Sequence, residues 1–127
     1  MIKTIIACLS SVDSGRGILD AVGRIASRFD SHIEVLHVQA DPRGLVPYTG
    51  EGMDGSMIEE IMEVSEKEGA ERAVGVRNIF DEFCETSGIP VVGLPNGITG
   101  PTICWRQESG REDDILSIRG RLFDVVV

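Results

Sequence analysis

The stretch TIIACLSSVDSGRG, residues 4–17, decides the fold class of this chain. It starts with an apolar run from Thr4 to Leu9, which is typical of a parallel β-strand covered on both faces. Polar residues follow, and among them Asp13 and Ser14 are suited to cap a helix. The stretch therefore predicts a strand, a short turn and a helix, an arrangement in which α/β proteins commonly hold a nucleotide.

Downstream of this stretch, helical and extended patterns continue to alternate. The residues predicted to face inward from the first helix are Ile18, Val22, Ile25 and Phe29. The later elements are a strand from Ile33 to Val38, a long helix from Met57 to about Ser87 that ends at Gly88, a strand from Thr102 to Glu108, a short helix from Asp113 to Leu122 with Ile115, Ile118 and Leu122 inward, and a buried strand from Phe123 to Val127. Four strands alternating with helices predict a doubly wound, parallel α/β sheet in a single domain, residues 1–127.

Two glycine- and proline-rich segments interrupt this pattern. The loop from Gly44 to Gly55 is long enough to favour a lid or a partner surface, with plain disorder as the alternative. The segment IPVVGLPNGITGP, residues 89–101, contains three prolines, and these exclude a continuous central strand. We interpret it as an insertion or an excursion along the edge of the sheet.

Composition excludes several classes of function. The chain has 127 residues, 12 basic and 21 acidic, and its net charge of -9 repels nucleic acids and anionic membrane surfaces. The apolar run near the N-terminus is too short for a signal peptide or a membrane span. Cys8, Cys84 and Cys104 form no C-x-x-C pair and lie in or beside apolar segments, which favours a reducing, cytoplasmic location.

Other residues that often mark a site have simpler interpretations here. His32 and His37 lie five positions apart on a strand, so they face opposite sides of the sheet and favour no metal site. The glutamates of the long helix are typical of a solvated face, and Trp105 is typical of sheet packing. No nucleophile has a base beside it, and the sequence therefore predicts no catalytic residue.

The order of these features resembles the universal stress protein family. The matching pieces are KTIIACLSS, RGILDAVGRIASRF, the strand IEVLHV, and the final WRQESGREDDILSIRGRLFDVVV, which together cover most of the chain. The resemblance implies a fold of the adenine nucleotide alpha hydrolase type, with a five-stranded parallel sheet. It also implies a stress-response or signalling role, and pairing as a homodimer or with a second copy of the domain.

In that family, many members hold adenine between the ends of the first two strands. By position, the resemblance places a cofactor site for ATP or AMP on Leu9, Ser10, Ser11 and Val38. Ser10 stands where the family has an aspartate, and the chain ends at Val127, where the family's glycine-rich phosphate motif would begin. We therefore expect weak or absent ATP binding, no metal, and a domain that lacks its last strand and helix.

A second family resemblance supplies the alternative function. The run from Ser11 to Ser14 is similar to the Ser-Gly-Gly-x-Asp-Ser loop of pyrophosphatase-type ATP enzymes. That loop needs glycine because the backbone N–H groups must approach the phosphates closely. Ser10 and Ser11 occupy the glycine places here, so an ATP-dependent enzyme of that group is the second interpretation.

Overall fold

A computed structural model describes residues 2–41, 55–93 and 99–127. Its elements in chain order are β1 (Thr4–Cys8), α1 (Val12–Phe29), β2 (His32–Gln39), α2 (Gly55–Ser87), β3 (Thr102–Ser109), α3 (Glu112–Arg119), a 3₁₀ turn (Gly120–Leu122) and β4 (Val125–Val126). The four strands of the described residues form one sheet in the order β3-β2-β1-β4, and all neighbouring pairs are parallel. The α/β class and the parallel sheet are therefore confirmed.

Helices cover the two faces of this sheet unequally. Helices α1 and α2 pack on one face, where the core cluster includes Ile5, Val35 and Phe80. On the opposite face, Ile115 and Leu116 of α3 pack against a smaller cluster of buried strand residues. The strand order explains this division, because the chain runs from β1 to β3 in one direction and returns to the far side of β1 for β4.

The first helix begins earlier than predicted. Its N-cap is Ser11, whose hydroxyl accepts a hydrogen bond from the Ser14 N–H, so a cap at Asp13 or Ser14 is wrong. Phe29, predicted to face inward, is 37% exposed and has the Arg28 guanidinium over its ring. Phe29 is the last helical residue, and Asp30 already turns into the left-handed conformation that leads to β2.

The long helix α2 runs from Gly55 to Ser87 and ends as predicted. Gly88 follows it with a φ of +71°, a conformation that favours glycine. The buried residues of α2 are all in its second half, from Ala73 to Phe80, where the helix lies over the sheet. The loop prediction for Gly44 to Gly55 falls almost entirely on residues 42–54, outside the described residues.

The last helix is shorter than predicted and differently rotated. It ends at Arg119, and Ile118 and Leu122 are 69% and 74% exposed, so their predicted inward orientation is wrong. The reason is that Arg119 turns toward the sheet to pair with the buried Glu34. That contact fixes the rotation of α3 and leaves Ile118 on the outer side.

The two edge segments of the sheet can also be compared with the predictions. The predicted buried strand at the end of the chain is a two-residue edge strand, in which Val126 is 48% exposed. At the opposite edge, Val91 forms an isolated parallel bridge with Ile103, which agrees with an edge excursion. Residues 94–98 of that excursion lie outside the described part of the chain.

Candidate functional site

The predicted site residues meet at the carboxyl ends of β1 and β2. Leu9 is fully buried, Val38 is 8% exposed, and Ser10 and Ser11 lie nearer the surface. Ligands of open α/β sheets commonly bind outside the carboxyl ends of the strands. The structure therefore brings the four residues to a suitable edge, and their role in binding stays a prediction.

Val38 presents unpaired main-chain groups at this edge. In the β1–β2 ladder, the His32 N–H donates to the Lys3 carbonyl and the Leu36 carbonyl accepts from the Leu9 N–H, at 2.8 Å each. Even-numbered residues of β2 thus point their main-chain groups toward β1, and Val38 follows the same alternation. Because β1 has ended by then, neither the N–H nor the C=O of Val38 has a hydrogen-bond partner among the described residues.

His37 explains why the ladder stops at this position. Its Nδ1 lies 2.7 Å from the Leu9 carbonyl oxygen, so this nitrogen carries the hydrogen and donates it. The next rung of the ladder would have used that carbonyl for the Val38 N–H. His37 is 1% exposed, and its ring stacks on Trp105 with 6.3 Å between the centroids. The side chain of His37 therefore ties β1 to β2 at the carbonyl that the next rung would use, and no described residue pairs with the Val38 N–H.

A carboxylate stands over the end of β1. The Ser10 hydroxyl donates to Oε2 of Glu112, in the first turn of α3, at 2.7 Å. Burial raises the pKa of the neighbouring Cys8 thiol to about 11, and the negative charge of Glu112 adds to that effect. No local pattern in the sequence marks Glu112 as a site residue, because it lies 102 positions from Ser10.

The turn into α1 is a capped helix start. The Ser11 hydroxyl is used by Ser14, and the Ser11 carbonyl accepts from the Gly15 N–H at 3.0 Å. Asp13 places a negative charge in the first turn of the helix. A carboxylate there competes with a phosphate for the positive end of the helix dipole.

A second group of polar residues lies on the α3 face of the sheet. Glu34 is 6% exposed and accepts hydrogen bonds from Arg119 at 2.7–3.0 Å and from Arg106 at 3.2 Å. Beside them, His32 contacts the Thr102 hydroxyl at 2.8 Å and the Cys104 sulfur at 3.5 Å. This places the two histidines on opposite faces, as predicted.

The surroundings of this second group disfavour the charged forms of both its imidazole and its thiol. Burial lowers the pKa of His32, and burial raises the pKa of Cys104 to about 11. A thiol with that pKa stays protonated at neutral pH and is a poor nucleophile. Although sulfur, imidazole and hydroxyl follow one another as in a catalytic triad, the arrangement lacks an activated nucleophile.

Other surfaces of the described residues offer less for ligand binding than the carboxyl ends of β1 and β2. Within residues 2–41, 55–93 and 99–127, no three His, Cys, Asp or Glu side chains are close enough to hold a metal ion. An open groove of about 530 Å³ lies between the C-terminal halves of α1 and α2, beside Gly23 and Phe83, and the proposed site residues do not line it. None of the described helices combines the length and the apolar character needed to cross a bilayer.

No model of a known protein family matches this chain, and no curated protein matches it either.

Proposed function

We propose that this chain is a universal stress protein-like signalling module that recognises adenine at the ends of β1 and β2 and binds ATP weakly. The observation that carries the proposal is that no described residue pairs with the N–H or the C=O of Val38. Adenine offers an acceptor at N1 and a donor at N6, so one extended residue can pair with both. The parallel sheet and the helix after β1 also agree with the resemblance.

Glu112 accounts for the weak ATP binding in this proposal. Its carboxylate contacts Ser10, the position where the resemblance expects an aspartate. It thus offers the site an acidic group from a different part of the chain. Together with Asp13 it also places negative charge near any phosphate attached to the bound nucleoside. Adenosine should consequently bind better than ATP.

The proposed module is not an enzyme, and the alternative is an ATP-dependent enzyme of the pyrophosphatase-loop group. The capped turn at Ser11 favours the module, because its hydroxyl and carbonyl already serve the helix. ATP turnover by the purified chain would favour the alternative.

Calorimetric titration with adenosine, guanosine and ATP tests the proposal. Adenosine should bind and guanosine should not, because guanine presents N1–H and O6 and leaves the Val38 groups mismatched. Glu112→Gln should bind ATP more tightly, whereas Glu85→Gln, the same neutralisation on the exposed face of α2, should not. No adenosine binding, or equal binding of guanosine, would refute adenine recognition.

A further inference from the structure

The outer edge of β3 carries main-chain groups that no described residue uses. The Ile103 N–H donates to the Pro90 carbonyl at 3.0 Å, and the Val92 N–H donates to the Ile103 carbonyl at 2.9 Å. Ile103 therefore points its main chain outward, away from β2. The remaining outward residues follow by alternation and are Trp105, Gln107 and Ser109.

Within the described residues, none of these three has a hydrogen bond from its main-chain N–H or C=O. The described part of the neighbouring segment pairs with Ile103, and no described residue covers the edge from Trp105 to the end of the strand at Ser109. An open edge of this kind is a template for another strand.

The same edge is complementary to itself. When two copies of β3 are placed antiparallel about a two-fold axis at Gln107, that residue faces its own copy, and Trp105 faces Ser109 of the second copy. All of these are outward residues, so each N–H and each C=O of the open edge finds a partner. An axis centred one residue away, on Arg106 or Glu108, would pair only two of the three outward residues with each other and would place Ser109 or Trp105 opposite a residue outside the open edge.

Charge complementarity favours this register independently of the backbone. Pairing about Gln107 places Arg106 opposite Glu108 of the second copy, and Glu108 opposite the second Arg106. Their side chains are 41% and 39% exposed and lie 3.4 Å apart within one chain. The non-hydrogen-bonded positions of an antiparallel pair bring side chains closest together, so four alternating charges would meet there.

We propose that two copies of this chain associate by antiparallel pairing of their β3 edges, centred on Gln107, and so join two four-stranded sheets into one. The contrasting edge is β4, which offers a strand of only two residues. Because β2 separates β3 from β1, the pairing leaves the carboxyl ends of β1 and β2, where Val38 lies, uncovered. The dimer proposal therefore does not depend on adenine binding.

Disulfide trapping tests the register. In Gln107→Cys the two introduced thiols face each other, with Cα atoms about 5.5 Å apart, within the range that a disulfide spans. In Ser109→Cys the two thiols lie roughly 14 Å apart along the strands, which is too far. Mild oxidation should give a covalent dimer, twice the 13.8 kDa of the chain, for the first variant only. Both variants keep the same three native cysteines as background.

Sedimentation analysis at increasing concentration tests the association itself. The wild-type chain should form dimers, and Glu108→Lys should weaken them about tenfold, because like charges then meet on both sides of the axis. Glu85→Lys, exposed on α2, changes the net charge equally and should leave the dimer intact. A wild-type monomer at all concentrations, a Glu108→Lys dimer as tight as wild type, or equal trapping of both cysteine variants would overturn the proposal.

Discussion

Replacing Arg119 by methionine tests how α3 is held on the sheet. Arg119 donates three hydrogen bonds to the Glu34 carboxylate, two from Nη2 at 2.7 and 2.8 Å and one from Nε at 3.0 Å. The Glu34 side chain is 8% exposed, and its second cation, Arg106, is held by one contact of 3.2 Å. Methionine keeps most of the length of the side chain and removes the charge. Glu34 is then left buried with one weaker partner.

The expected loss of stability follows from that geometry. Breaking a fully buried ion pair costs about 3–5 kcal/mol, whereas a surface pair contributes at most about 1 kcal/mol. Arg119 is 23% exposed and Arg106 remains, so the cost should lie between these limits, at about 2–3 kcal/mol. With a urea m-value of about 2 kcal/mol/M, the midpoint of unfolding should fall by about 1–1.5 M.

Urea unfolding monitored by tryptophan fluorescence and circular dichroism measures this change. Arg121→Met is the matched control, because Arg121 is exposed and the same charge is removed. Adding Glu34→Gln to Arg119→Met should recover part of the loss, since the unpaired buried charge is then gone. A midpoint for Arg119→Met equal to that of Arg121→Met would refute the reasoning and show that α3 is not held by this contact.

Three further predictions concern the two histidines and the three cysteines. His37→Phe leaves the Leu9 carbonyl without its donor and should destabilise the fold by about 1–3 kcal/mol in urea unfolding. Because burial lowers the pKa of His32, the unfolded chain binds the proton more readily, and stability should fall as the pH drops below the unfolded pKa of about 6.5. Alkylation at neutral pH should label Cys84 before the two buried thiols, as intact-mass and peptide analysis would show.

Each of these has a clear contrary result. His37→Phe as stable as wild type would mean that the Leu9 carbonyl finds another donor. A His32→Gln variant with the same loss of stability between neutral and mildly acidic pH as the wild type would assign that loss to other groups. Labelling of Cys8 as fast as Cys84 in the folded chain would contradict the burial of Cys8.

The sequence predicted the elements of the fold better than their exact orientation. The apolar run before Leu9 and the helical stripe through Val22 both reflect burial against neighbours, and burial leaves a periodic pattern in the sequence. The rotation of α3 left no such pattern, because Arg119 is a charged residue that turns inward to meet Glu34. A prediction that places apolar residues inside and charged residues outside assigns the wrong face to such a helix.

At the candidate site, too, the sequence does not reveal contacts that depend on packing between distant segments. The family resemblance placed Leu9 and Val38 at the ends of the first two strands, and the structure brings both to the carboxyl end of the sheet. Glu112 was missed because only the packing of α3 brings it to Ser10, and no spacing rule connects two residues so far apart in the chain. The unpaired N–H of Val38 was equally hidden, since it depends on where the ladder ends and on the donor from His37.

Helix α3 runs from the proposed base-binding end of the sheet to Glu34, which lies on the face that α3 covers. Its first turn contacts Ser10 through Glu112, and its last turn is held by Glu34 through Arg119. In the proposed complex, a base paired with Val38 would compete with Ser10 for the Glu112 carboxylate, whereas the ion pair at the far end of α3 would stay in place. We therefore expect adenosine to increase amide hydrogen exchange in the first turn of α3 and to leave exchange near Arg119 unchanged. Unchanged exchange throughout α3 in adenosine-saturated protein would show that Glu112 does not respond to the ligand.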